Sequence, residues 1–167
     1  MNVSASPFFV FVASDIEDQN GHLISGAEVW DRRFQRGIWP LYRRTPNSKV
    51  LKAADRVLFY VGGTGSVRQS FVGEGVIEAI VDWNHMKGEV DAENWMTTSA
   101  TSAVVLGDRR RFPTPVMVKP LLDKLACAPA NRSRWGVLFH GGVRKFSHAD
   151  GAVIRRAAKT AADTLPD

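Results

Sequence analysis

Two tryptophans and three groups of arginines carry the most suggestive chemistry in this chain. Trp39 stands among turn-forming residues in Gly37-Ile38-Trp39-Pro40, outside any apolar periodicity, and Arg32, Arg33, Arg36, Arg43, Arg44, Lys49 and Lys52 surround it in sequence. Trp135 is followed by Gly136, which leaves its ring unobstructed, and is flanked by Arg132, Arg134, Arg144 and Lys145. A planar ring among cations suits a nucleobase on a phosphate chain. Stacking a base on such a ring contributes roughly 1–3 kcal/mol whatever the sequence, and the cations contact phosphates and confer salt dependence. Arg109-Arg110-Arg111, read as following a turn at Gly107-Asp108, adds a third basic run. Each feature has a plainer alternative: a loop tryptophan can plug the core, and a charge run can be a solvated face.

Other chemistries fit less well. Gly62-Gly63-Thr64-Gly65 leads into Ser66-Val67-Arg68 and a strand, not into the Gly-Lys-Ser/Thr and helix of a phosphate loop. Gly63-Thr64-Gly65 and Gly73-Glu74-Gly75 both lack the third glycine of a dinucleotide fingerprint. The reading of the first segment is a hairpin turn whose bare backbone allows close approach. His22, His85, His140 and His148 lie far apart without metal-ligand spacing, and Cys127 is the only cysteine, which excludes an internal disulfide and a multi-cysteine zinc site. A Cys127/His140 nucleophile pair is the one catalytic arrangement left open, with Cys127 read as a buried helical residue. The expectation is a non-catalytic chain without metal or cofactor.

The 167 residues are 44% hydrophobic, enough for one buried core and short for two, so residues 1–167 are read as a single domain. The net charge of +5 and isoelectric point of 9.7 favour a polyanionic partner. The apolar run Phe8 to Ala13 is too short for a signal-peptide core and meets Asp15 almost at once, and no stretch approaches a membrane span. A reducing, cytoplasmic setting without membrane contact is expected.

The elements that must position these residues are short and mixed. Phe8 to Val12 reads as a buried strand, Asp15 to Gly26 as a loop, and Ala27 to Arg36 as a helix stopped by Gly37. Arg56 to Val61 is the clearest strand, and Ser70 to Val81 returns as a long one, with Gly73 and Gly75 marking a bulge or bend. Asp82 to Thr98 is irregular, and Thr101 to Leu106 is a strand ended by Gly107-Asp108. Val118 to Cys127 reads as helical and Trp135 to Phe139 as a strand. Ser147 caps a last helix with Asp150 as its capping acid, Ile154, Ala157, Ala158 and Ala161 inward, and Arg155, Arg156 and Lys159 outward.

In order and spacing these segments resemble the EVE family, within the PUA-like superfamily that also holds the YTH and ASCH domains. The resemblance runs through Gly37-Ile38-Trp39-Pro40, Leu51-Lys52-Ala53-Ala54-Asp55-Arg56-Val57-Leu58-Phe59-Tyr60, Phe71-Val72-Gly73-Glu74-Gly75 and Phe112-Pro113-Thr114-Pro115-Val116. It ends in Arg134-Trp135-Gly136-Val137-Leu138-Phe139 and Gly141-Gly142-Val143-Arg144-Lys145. Family members carry glycine where this chain has Ala54.

The resemblance implies an α+β fold, a PUA-like mixed β pseudobarrel of five to six strands flanked by short helices. It further implies a pocket for a base flipped out of DNA or RNA, often a methylated cytosine or adenine. By position, Trp39 would be a pocket wall, Ser14 a polar contact, Tyr60, Gly62 and Gly63 the rim, and Trp135 and Phe139 the far side. Arg43, Arg44, Arg109, Arg110, Arg111 and Arg134 would hold phosphates. Two rival readings are an ASCH-like enzyme acting on a nucleoside, for which Glu74 and Thr64 are the nearest candidates, and a sensor of a free nucleotide.

Overall fold

The computed structural model describes residues 5–86 and 100–163. Its elements run β1 (Phe8–Ala13), β2 (Ile16–Glu17), β3 (Leu23–Ile24), α1 (Gly26–Arg36), β4 (Ile38–Leu41), β5 (Arg56–Val61), β6 (Ser70–Asp82), β7 (Ser102–Met117), β8 (Val143–Phe146) and α2 (His148–Asp163). Among the described residues, 3-10 helices intervene at Trp83–Met86, Lys119–Lys124 and Arg132–Phe139.

Six strands form one sheet in the order β4-β7-β6-β5-β1-β8, with β1 and β5 parallel and every other pair antiparallel. The sheet curls until β4 faces β1, four places away in that order: the rings of Trp39 and Phe11 meet at 5.4 Å. Register shifts in β6 at Phe71/Gly73 and Glu74/Val76 produce the bend, because each bulge adds a residue and sharpens the local twist. Gly73 could not be anything larger, since a Cβ there would lie 2.7 Å from the Arg110 carbonyl oxygen. The expected α+β pseudobarrel with short flanking helices is the fold observed.

Alternation along the central strands builds two cores, because successive strand side chains point to opposite faces. Phe9, Phe11 and Ala13 of β1 join Val57, Phe59 and Val61 of β5 inside the curl, against Trp30 and Phe34 of α1 and Trp39 of β4. Phe8, Val10 and Val12 join Leu58 and Tyr60 on the outside, under Ile154 and Ala158 of α2 and Phe139.

α1 begins at Ser25, whose hydroxyl accepts from Glu28 N at 3.2 Å, and stops at Gly37 in the left-handed conformation with φ 69°. α2 begins as expected, with Asp150 N donating to the Ser147 hydroxyl at 3.1 Å. The Asp150 carboxylate does not reach back to complete a capping box. It accepts instead from Ala126 N and Cys127 N, tying α2 to the preceding loop.

Four local expectations are corrected. Gly107-Asp108 is no turn: β7 continues through it for 16 residues, with a register shift opposite Glu74/Val76 and Asp108 at φ 48°. Trp135 to Phe139 is helical within Arg132–Phe139, and only Lys119–Lys124 of the expected Val118–Cys127 helix winds, as a 3-10 segment. The polar loop before α1 contains the β2/β3 hairpin. Of Asp82 to Thr98, residues 87–98 lie outside the described residues.

Candidate nucleic-acid interface

Trp39 fills the interior. It is 2% exposed, with Phe11 and Phe59 ring centroids at 5.4 and 5.6 Å. The Arg33 guanidinium carbon stands 5.0 Å from the centroid of its ring. β4 pairs with β7 along Trp39↔Val104, which turns the indole inward with the other barrel-facing residues. The expectation of an open pocket wall at this position is corrected: the plainer alternative, a core plug, is what the structure shows.

Of the other predicted base-contacting residues, Ser14, Gly62, Tyr60, Phe139 and Trp135 form a contiguous row away from Trp39. Ser14 is exposed just past the end of β1, and a Cβ built on Gly62 would lie 3.7 Å from its hydroxyl and 3.7 Å from the Tyr60 ring. Tyr60 stacks on Phe139 with centroids 3.7 Å apart and planes 5° from parallel, and Phe139 meets Trp135 edge-on at 6.1 Å. Trp39 and Trp135 therefore cannot sandwich one base, because the sheet lies between them. Tyr60 and Phe139 are sealed against each other and leave no slot for a ring; burial raises the Tyr60 phenol far above its ordinary range. Trp135, half-buried, is the one ring of the row with a solvent-facing part.

Asp15, which the sequence reading passed over, fixes this end of the barrel. Its carboxylate accepts from Gly26 N at 2.8 Å, from Thr64 N at 3.1 Å and from the Thr64 hydroxyl at 2.9 Å, tying the start of α1 and the β5–β6 hairpin to β1. Burial alone would raise its pKa, but these donors outweigh burial and hold the carboxyl below its usual value. Gly63, with φ 71°, packs on this carboxylate, so it closes a clamp and does not line an open rim.

The loop between β4 and β5 comes to the same end. Asn47 donates its side-chain amide to the Val143 carbonyl at 2.9 Å, and Pro46 lies against Gly141. Val12 N in turn donates to the Gly142 carbonyl at 2.7 Å, which places this contact beside the end of β1. Arg43 and Arg44, three and two residues before Pro46, are exposed and have no ion-pair partner among the described residues.

The Arg109–Arg111 run is engaged within the fold. Arg109 donates to the Phe34 and Gln35 carbonyls at the end of α1, where a cation also complements the helix dipole. Arg111 pairs with Asp31 at 2.5 Å and lies over the Trp30 and Phe34 rings at 4.6 and 4.7 Å. Both pin α1 to β7, so the expectation that they are available for phosphates is corrected. Arg110 pairs with Glu74 at 2.6 Å yet keeps a side chain 70% exposed. Arg134 is exposed on the Arg132–Phe139 helix, beside Trp135.

Thr64 and Glu74, the candidates for a nucleoside-processing site, are both engaged by other residues: Thr64 gives its hydroxyl to Asp15, while Glu74 is paired by Arg110 and Arg155. Burial, reinforced by the Asp150 carboxylate, pushes the Cys127 thiol up to about 12, which suppresses the thiolate a nucleophile needs. No group of acidic, histidine or cysteine residues among the described residues could hold a metal ion. No helix among the described residues is long and apolar enough to cross a membrane.

Compared by sequence, the chain matches no family model and no curated protein. Its fold matches solved structures closely in extent. Human THYN1 protein, solved in complex with DNA containing 5-methylcytosine, is 10% identical with a TM-score of 0.56, over 92% of this chain and 98% of that one. ASCH from Zymomonas mobilis is 14% identical with a TM-score of 0.53, over 89% and 94%. A Pseudomonas putida protein is 13% identical with a TM-score of 0.56, over 90% and 99%. The fold is thus the α+β PUA-like pseudobarrel that these solved structures share.

Proposed function

We propose that this chain is a non-catalytic nucleic-acid-binding domain that holds a modified base, a methylated cytosine or adenine, at the end of the barrel marked by Ser14 and Gly62. The observation that carries the reading is the convergence there of an exposed hydroxyl, a side-chain-free residue and a clamped loop bearing two unpaired arginines. Ser14 meets the edge of the base, Trp135 offers the solvent-facing aromatic surface, and Arg43 and Arg44 hold phosphates. The fold shared with a domain solved on 5-methylcytosine DNA supports the choice of ligand.

The division of labour is testable with short oligonucleotides, with and without methylated cytosine or adenine, at two salt concentrations. Preference for one modified base should persist at high salt, where phosphate contacts fade. Ser14→Ala and Trp135→Ala should reduce that preference. Arg43→Ala with Arg44→Ala should weaken every sequence alike and lower the salt slope by about 2. Absence of binding to any oligonucleotide, or binding without preference, overturns the reading; equal affinity for mononucleotides would favour a free-nucleotide sensor instead.

A further inference from the structure

A second basic surface lies away from the Ser14 end. Between β7 and α2 opens a cleft of about 640 Å³, walled by Arg110 and Phe112 on one side and by Arg155 and Lys159 on the other. Ala158 and Ala162 line it from α2, and side chains this small leave the groove open. Glu74 sits at its base, half-buried, bridging Arg110 at 2.6 Å and Arg155 at 2.7 Å. Beside it, Arg56 joins Glu74, Arg110 and Arg155 around a smaller hollow of about 60 Å³, with Asp108 at its rim.

Cations outnumber carboxylates in this group, and they are not exhausted by their pairing. A guanidinium carries five N–H donors in a planar fork, and Glu74 takes one nitrogen from each arginine. Arg110 remains 70% exposed and Arg155 42% exposed, so their remaining donors face solvent. Lys159 is exposed with no partner among the described residues. This geometry suits oxygens that can accept two parallel bonds, as phosphates do. The half-buried Phe112 ring on the same wall gives a sugar or base an apolar surface.

The spacing to the first surface is set by β5. Arg56 opens that strand and Gly62 follows its last residue, six steps along, so the two surfaces are separated by about 20 Å at the usual rise per residue. At 3.4 Å per nucleotide step of one duplex strand, that is about six phosphates.

We propose that the cleft between β7 and α2 is a second nucleic-acid contact, in which Arg110, Arg155 and Lys159 grip the phosphodiester backbone of the strand whose base is held at Ser14. This rests on the nucleic-acid reading above and adds a length dependence to it. Glu74 holds the two arginines parallel when the cleft is empty and competes with the phosphate when it fills.

The test uses the full chain, a single-stranded dodecamer and a trinucleotide carrying the preferred base, with affinity measured across a salt series. Lys159→Ala with Arg110→Ala should weaken the dodecamer several-fold and lower its salt slope by about 2, leaving the trinucleotide and the base preference unchanged. Glu74→Gln should tighten the dodecamer and steepen its slope, which a merely structural role for Glu74 would not do. Dodecamer affinity and slope equal to those of the parent in both variants would overturn the proposal. So would equally tight binding of a polyglutamate peptide of matched charge, which would point to an acidic protein partner. Failure of the parent to bind any oligonucleotide would overturn the preceding reading, and this one with it.

Discussion

The Arg33 guanidinium lies over the Trp39 indole, 5.0 Å from its centroid, and Arg33 is itself only 6% exposed. A desolvated cation on an indole contributes about 2 kcal/mol, and Phe11 and Phe59 pack on the same ring at 5.4 and 5.6 Å. Trp39→Ala should therefore cost about 3–5 kcal/mol of stability, measured by denaturant titration. Trp39→Phe should leave base preference intact, because position 39 is interior. Loss of preference in a stably folded Trp39→Phe protein would return this residue to the binding site.

Asp15 makes stability depend on acid. Its folded pKa is depressed by the Gly26 and Thr64 donors, so its contribution is complete above the unfolded value of about 3.9 and is lost as pH falls through the lower folded value. Asp15→Asn should lower stability near neutrality and flatten its fall in acid. Parallel pH profiles for parent and variant below about pH 4 would remove Asp15 as the clamp.

Ala54 adopts φ 72° and donates its N–H to the Ile77 carbonyl at 2.8 Å. A left-handed alanine costs about 1–2 kcal/mol, part of which glycine would give back through its freer unfolded chain. Ala54→Gly should raise the unfolding free energy by about 0.5–1 kcal/mol, seen as a higher denaturant midpoint at unchanged slope.

Tyr60 contributes to the loss of stability on the alkaline side, as the raised Cys127 thiol also does. Burial raises its phenol in the folded state, so the unfolded chain ionises first, at about pH 10, and stability falls as pH rises through that value. Tyr60→Phe should keep the stack on Phe139 and reduce the fall between about pH 9 and 11. An unchanged alkaline profile would mean that other groups account for it.

The parts legible in the sequence were those written locally. Short aromatic and β-branched runs drew β1 and β5, Gly37 ended α1, and Gly73 and Gly75 announced the bends of β6. Trp135 to Phe139 misled because a short apolar run carries no period of its own. Gly107-Asp108 misled because a bulge and a turn use the same residues, and only the partner strand decides between them. That Trp39 and Trp135 sit on opposite sides of the sheet depends on register between strands far apart in the chain. The pairing of Arg155 with Glu74 across 81 positions has no local trace, although the outward Arg155 and Lys159 were readable from helical period.

The curl leaves β4 and β8 as the sheet's two outer strands, unpaired with each other. β4 carries Pro40, which has no N–H to offer a newcomer, and the Val143 carbonyl of β8 is occupied by the Asn47 amide, with charged Arg144 and Lys145 alongside. Neither margin invites another chain to extend the ladder. Association by backbone zippering is disfavoured at both ends, leaving recognition to side chains on loops and on the α2 face, where charge rather than main-chain geometry selects the visitor.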